Sequence, residues 1–151
     1  MDIGKDDPRR ADVTRLLEAH LALMRSLSPP GSVHALDLDG LAAPGVTFWT
    51  GREGGRLVAC GALKALGAEH GEIKSMHTEE AVRGRGLGEA MLRHIVAEAR
   101  TRGYARLSLE TGRPESFGAA QRLYARHGFR ECLPFAGYTD DPFSLCMTLF
   151  L

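Results

Sequence analysis

Apolar positions recur along the chain with two distinct periods. From Asp12 to Met24 the residues Val13, Leu16, Leu17, Leu21 and Met24 fall at helical spacing. Ser28-Pro29-Pro30-Gly31-Ser32 ends that helix sharply. Val33 to Leu41 carries no clear period and reads as a short helix and a loop, followed by Ala42-Ala43-Pro44-Gly45. Val46 to Thr50 and Arg56 to Lys64 are strand-like, and Glu53-Gly54-Gly55 makes a hairpin turn between them. After the turn Gly67 to Gly71, Glu72 to Thr78 alternates with period two. That alternation predicts Glu72, Lys74 and Met76 on one face and Ile73, Ser75 and His77 on the other. Helical spacing returns with Leu87, Met91, Leu92, Ile95, Val96 and Ala99, and Gly103 closes that helix. A strand over Tyr104–Thr111 and a helix carrying Phe117, Ala120, Leu123, Tyr124 and His127 come next. Two last strands span Gly128–Phe135 and Phe143–Phe150, and a weak first strand lies near Asp2 to Gly4. This order predicts an α+β, or mixed α/β, fold with a largely antiparallel sheet.

Between the Glu72 strand and the Leu87 helix lies Val82-Arg83-Gly84-Arg85-Gly86-Leu87-Gly88. Glycines let the backbone approach an anion, a helix N-terminus aims free N–H groups at it, and arginine adds charge and planar donors. The stretch therefore has the chemistry of a phosphate cradle. It is not a P-loop, because no Lys-Ser or Lys-Thr follows the glycines. It is not a dinucleotide fingerprint either, because the third glycine would fall at Glu89.

Arg83-x-x-Gly86-x-Gly88 resembles the acyl-CoA pyrophosphate loop of the GNAT N-acetyltransferases. Ala120-x-x-Leu123-Tyr124-x-x-x-Gly128-Phe129 looks like the second hallmark of that family, in the same order along the chain. The resemblance runs from about the second strand to the C-terminus. It implies a central, largely antiparallel twisted sheet of about six to seven strands flanked by helices. It further implies acetyl-CoA as cofactor and acetyl transfer to a primary amine of a small molecule or peptide. Under it, Arg83, Gly84, Arg85, Gly86, Leu87 and Gly88 hold the pyrophosphate, the backbone contributing more than either arginine. Met76, His77 and Thr78 supply main-chain contacts to the pantetheine arm. One position departs from the pattern: Phe117 stands where many members carry a pantetheine-binding Asn.

Acetyl transfer requires the amine to lose a proton and the thiolate to leave. The resemblance implies Tyr124 as the acid near the sulfur and Glu72 as the base, six residues before Thr78. Lys74, on the same face, competes as an ion-pair partner of Glu72. Glu110 is the alternative base, and His77 a weaker one on the opposite face. Asp37, Asp39, Trp49, Tyr138 and Asp140 are candidates for an acceptor cleft suited to a cationic amine. Two other readings keep the fold: a different acyl donor, or a CoA-binding sensor without turnover.

The chain has 151 residues, which suits one domain over 1–151. Lys plus Arg and Asp plus Glu number 19 each, a balance unlike that of a basic nucleic-acid binder. No apolar run is long enough to span a membrane, and Met1-Asp2-Ile3-Gly4-Lys5 is not a signal sequence, so a cytoplasmic protein is expected. Cys60, Cys132 and Cys146 lack paired spacing and are expected as reduced thiols. The dispersed histidines form no metal motif. Phe143, Leu145, Met147, Leu149 and Phe150 near the C-terminus offer a surface for a homodimer.

Overall fold

The computed structural model describes residues 1–34 and 37–151. Seven strands form one sheet in the order β1-β2-β3-β4-β5-β7-β6. They are β1 (Asp2–Lys5), β2 (Val46–Glu53), β3 (Arg56–Ala65), β4 (His70–Thr78), β5 (Arg106–Gly112), β6 (Arg130–Glu131) and β7 (Ser144–Phe150). Among the described residues, four α-helices flank it: α1 (Ala11–Leu27), α2 (Leu38–Leu41), α3 (Leu87–Thr101) and α4 (Gly118–Arg126). Part of the ambiguous stretch, residues 35–36, lies outside the described residues. The rest contains α2, capped by Asp37, whose carboxylate accepts from Gly40 N–H at 2.8 Å.

All neighbours pair antiparallel except β4 and β5. Parallel strands need a crossover, and α3 supplies it. The β4–β5 ladder is short, joining His70 to Arg106, Gly71 to Leu107 and Glu72 to Ser108. Beyond those pairs β4 continues to Thr78 and β5 to Gly112 without meeting. The sheet is split there, and the split is the structural origin of the cleft described below.

Apolar side chains fill both faces of the sheet. On one, α3 contributes Met91, Leu92, Ile95, Val96 and Ala99 against Trp49, Leu63, Ile73, Leu107 and Leu109, with Tyr124 and Phe129 beside them. On the other, Val13, Leu16 and Leu17 of α1 meet Leu41, Phe48, Cys60 and Ala62. The C-terminal segments differ from the sequence expectation in two ways. The strand expected over Gly128–Phe135 is only Arg130–Glu131, because the chain turns away at Leu133 and Pro134. Leu145 and Met147 are buried in the chain's own core and Leu149 packs against it, so of the proposed dimer residues only Phe150 remains strongly exposed.

Candidate active site

The strict alternation expected along β4 fails at Ser75. The register with β3 shifts between Cys60 and Ala62, where Ala62 faces Lys74 but Cys60 faces His77. One extra β4 residue is accommodated as a bulge, and Ser75 takes φ 54° to make it. Parity therefore inverts. Met76 joins the α3 face, where its sulfur lies 2.9 Å from the position a Cβ on Gly61 would take. His77 joins Glu72 and Lys74 on the α1 face. This corrects both face assignments, since an extra residue in a strand turns every later side chain over.

His77 Nδ1 lies 3.0 Å from His20 Nδ1 of α1. Burial first, then the positive Arg83 nearby, lowers the His20 pKa to about 4. Burial, then His20 and Arg83, lowers that of His77 to about 3. Both rings are neutral at neutral pH and occupied with each other, which removes His77 from the list of bases. What His77 retains for a ligand is its backbone.

The split between β4 and β5 opens a cleft of ≈ 150 Å³. Glu72, Lys74, Glu110 and Tyr138 line it together with Tyr124, Met76, Phe117 and Ala120. It thus joins polar groups on the α1 face to the cluster beneath α4. Glu72 is almost wholly buried. Its Oε2 accepts from Tyr138 OH at 2.5 Å and from Lys74 Nζ at 3.2 Å. Lys74 Nζ also donates to the Tyr138 oxygen at 2.9 Å. Burial, then the bond to Glu72, raises the Tyr138 pKa, so it remains a phenol. Glu110 lines the cleft from β5. Burial raises its pKa to about 7, only partly opposed by Ser144 and Lys74. Tyr124 is raised to about 12 by burial alone, not the ordinary value near ~10 that a free phenol has.

Of the other acceptor candidates, only Tyr138 reaches this cleft. Asp37 caps α2, Asp39 pairs with Arg9 at 2.6 Å, Trp49 packs on the α3 side, and Asp140 lines a separate depression near Cys132. Phe117 forms a wall of the cleft, its ring edge-on to Phe143 at 5.6 Å. A Cβ on Gly112 would collide with that ring, so the apolar wall depends on the glycine.

Past Thr78 a single turn, Glu80–Val82, leads into the glycine loop. Gly84 and Gly86 both have φ 80°, a left-handed conformation costly for any residue with a Cβ. The space a Cβ would fill is open at both. Gly86 is the N-cap of α3 and brings no side-chain acceptor, and the first bond within the helix is Ala90 N–H to Gly86 O at 3.0 Å. The earlier amides are thus available, at the positive end of a helix of 15 residues. These features fit a pyrophosphate. Arg83 Nε donates to Thr78 O at 3.2 Å, and Arg85 forms a two-pronged pair with Glu53 at 2.9 Å for each bond. Both arginines are engaged within the chain, whereas the amides at the start of α3 are free of intrahelical partners. Leu123 packs beside Gly88, and His127 Nε2 meets Glu89 Oε1 at 2.8 Å, so α4 and the residue before Tyr124 are tied to the loop.

Among the described residues no group of three His, Cys, Asp or Glu could hold a metal ion, and no helix is long and apolar enough to cross a membrane. Cys60, Cys132 and Cys146 are free thiols. The sequence pointed to the loop, to Tyr124 and to both carboxylates. It did not reveal that Lys74, Tyr138 and Phe117 border the same cavity, because they come from three separate segments that meet only in the tertiary structure.

Comparison with known proteins accounts for this arrangement. Residues 14–129 match the model of the acetyltransferase (GNAT) family. The chain is 49% identical over 98% of its length and 98% of the relative's to "Uncharacterized N-acetyltransferase YsnE" of Bacillus subtilis. It is 46% identical to "Uncharacterized N-acetyltransferase YedL" of Escherichia coli, over 99% and 94% of the two chains. Among solved structures, a putative acyl-CoA N-acyltransferase from Klebsiella pneumoniae superposes with TM-score 0.80 at 31% identity, over 97% and 94% of the chains. An Elizabethkingia anophelis GNAT family acetyltransferase with acetyl-CoA bound shares the fold at TM-score 0.71 and 18% identity, over 99% and 97%. A match this long, carried by relatives nearly half identical from end to end, places the chain in the GNAT family, as an acetyl-CoA-dependent N-acetyltransferase.

Proposed function

We propose that the chain acetylates a primary amine of a small molecule or peptide by direct attack, with Glu110 taking the amine proton and Tyr124 meeting the leaving sulfur. The observation that carries this reading is the split in the sheet. It brings the buried carboxylate of Glu72 and the half-buried one of Glu110 from one face and the buried phenol of Tyr124 from the other into one cleft, with α4 tied to the glycine loop through Leu123 beside Gly88. Amides from Gly84 to Gly88 hold the pyrophosphate, and the unpaired edge of β4 at Met76, His77 and Thr78 aligns the pantetheine arm. Bound acetyl-CoA supplies the activated thioester.

Glu72 and Glu110 divide the work according to their partners. The Oε2 of Glu72 is taken by an ammonium and a phenol, so Glu72 fixes Lys74 and Tyr138 in place. Glu110, with its pKa near 7, is poised to accept a proton at neutral pH and to release it afterwards. Tyr124 works differently from an ordinary acid. Burial raises its pKa to about 12, so at neutral pH it is a phenol. Its Oη therefore acts as a hydrogen-bond donor to charge that develops on the sulfur, and stays protonated throughout.

Initial velocities measured with acetyl-CoA and an amine both varied test direct attack. Lines that intersect in a double-reciprocal plot support transfer within a ternary complex. Parallel lines would mean an acetylated protein intermediate and would overturn it.

A further inference from the structure

Lys74 is the residue of the cleft that an amine acceptor does not require. A cation in an amine-binding site repels an ammonium, and burying it is costly. Its side chain is 8% exposed all the same. Its position follows from the β4–β5 register. Glu72 and Ser108 are the last facing pair. Two residues further along each strand, before the bulge at Ser75, come Lys74 and Glu110. They keep the same face and confront each other across the opening gap. No hydrogen bond joins them. Lys74 spends two of its three N–H donors on Glu72 and Tyr138, and Glu110 accepts none from Lys74. The mouth of the split thus presents a cation with a spare donor opposite an acid that can take a proton.

That spacing suits an acceptor carrying both charges. Around it Met24, Val33, Phe117 and Phe143 give the lining an apolar part, beside the polar Ser28, Ser32 and His34, and its ≈ 150 Å³ is small. We propose that the acceptor is a free α-amino acid with an apolar side chain, its amine at Glu110 and its carboxylate at Lys74. The proposal rests on the N-acetyltransferase reading of the same cleft. The reaction it describes forms an amide bond between the α-nitrogen and the acetyl carbon and breaks the thioester bond. The ammonium gives one proton to Glu110, the electron pair of the broken C–S bond leaves with the sulfur, and the second N–H proton, lost as the amide forms, goes to that thiolate so that the cofactor departs as its free thiol. A lysine in this place also disfavours polyamines and peptide lysine side chains, which bring positive charge and no carboxylate.

Matched acceptors test it by thiol release from acetyl-CoA: leucine against 3-methylbutylamine, methionine against 3-(methylthio)propylamine, and phenylalanine against 2-phenylethylamine. Each pair differs by the carboxylate, and kcat/KM is referred to the free-base amine because a carboxylate also lowers the pKa of the neighbouring ammonium. The expected result is a kcat/KM at least about tenfold higher for the amino acid in one pair or more, the worth of one charge-assisted hydrogen bond. Lys74→Met should bring that ratio towards one, and Lys74→Arg should keep it. Because the ratio is internal, a general loss of activity from disturbing Glu72 divides out. Amines turned over as well as, or better than, their amino acids in all three pairs would overturn the proposal. So would turnover of neither member of any pair by protein that binds acetyl-CoA in calorimetry. Absence of acetyl-CoA binding would instead remove the cofactor reading beneath it.

Discussion

The most discriminating consequence of the site concerns Glu110 and pH. Its carboxyl titrates near 7 in the folded protein because burial disfavours the ionised form. Only the ionised form accepts a proton from the amine. The sign follows directly: activity is lost as pH falls through about 7 and is held above it. At pH 5, two units below, roughly 1% of the protein carries the active form, so this group alone lowers kcat/KM by about a hundredfold from its plateau. The acceptor's own ammonium adds a second dependence at higher pH. For that reason the informative quantity is a difference between proteins. Below pH 7, log kcat/KM of the wild type should fall more steeply than that of Glu110→Gln by about one slope unit. The variant should also lose roughly two to four orders of magnitude at the plateau. Glu72→Gln should retain the limb near 7, because its partners Lys74 and Tyr138 belong to the scaffold of the cleft. A thiol-release assay from pH 5 to 9 on the three proteins is sufficient. An undiminished acid limb in Glu110→Gln, or its disappearance in Glu72→Gln, would refute the division of roles between the two carboxylates.

Other consequences are simpler to check. Gly86→Asp forces a side chain into a backbone at φ 80° and sets negative charge at the anion site. Calorimetry should show acetyl-CoA affinity reduced by at least about tenfold, and an unchanged affinity would remove the loop from the site. Tyr124→Phe should slow turnover by about tenfold to a hundredfold while cofactor affinity holds, and an unaffected rate would reduce Tyr124 to a packing residue. Asp6 accepts from Thr50 at 2.7 Å and from Arg52 at 3.1 Å. Burial opposes its ionisation, yet those bonds, with Asp7 N–H and Arg10, hold its pKa down to about 2. This contribution to stability is complete above the ordinary carboxylate range and is lost as pH falls towards 2. Asp6→Ala should lower unfolding free energy by about 2 kcal/mol at neutral pH in urea titrations, and no change would show that Arg52 is satisfied by Asp12 alone.

Much of this site was readable from local chemistry. The glycine loop was legible because a left-handed N-cap demands glycine at Gly86 and the α3 stripe from Leu87 to Ala99 marks where the helix begins. Tyr124 was legible from the motif of its helix. What escaped were features that depend on tertiary pairing. The bulge at Ser75 leaves no mark in composition, yet it moves His77 beside His20 and Met76 beneath α3. The alternation of Glu72 and Lys74 was correct because both precede it. That Glu72 is occupied depends on Tyr138, 66 residues away in sequence, and on a loop whose periodicity says nothing about its course. Glu110 pairs with Cys146 of β7 and shares the cleft with Tyr138 of the final loop, neighbours that its own segment does not announce. Leu145 and Met147 read as possible interface positions because an apolar strand looks alike in sequence whether a partner or the chain's own core covers it, and here they lie in the core.

The central claim is that the backbone of the glycine loop holds the pyrophosphate of acetyl-CoA and delivers its thioester to the split between β4 and β5. Titration calorimetry of the purified protein with acetyl-CoA, with CoA and ATP as comparators, tests it most directly. The account predicts binding in the micromolar range for acetyl-CoA and CoA, with ATP weak or silent. Heats absent for all three ligands, or ATP bound as tightly as acetyl-CoA, would contradict it.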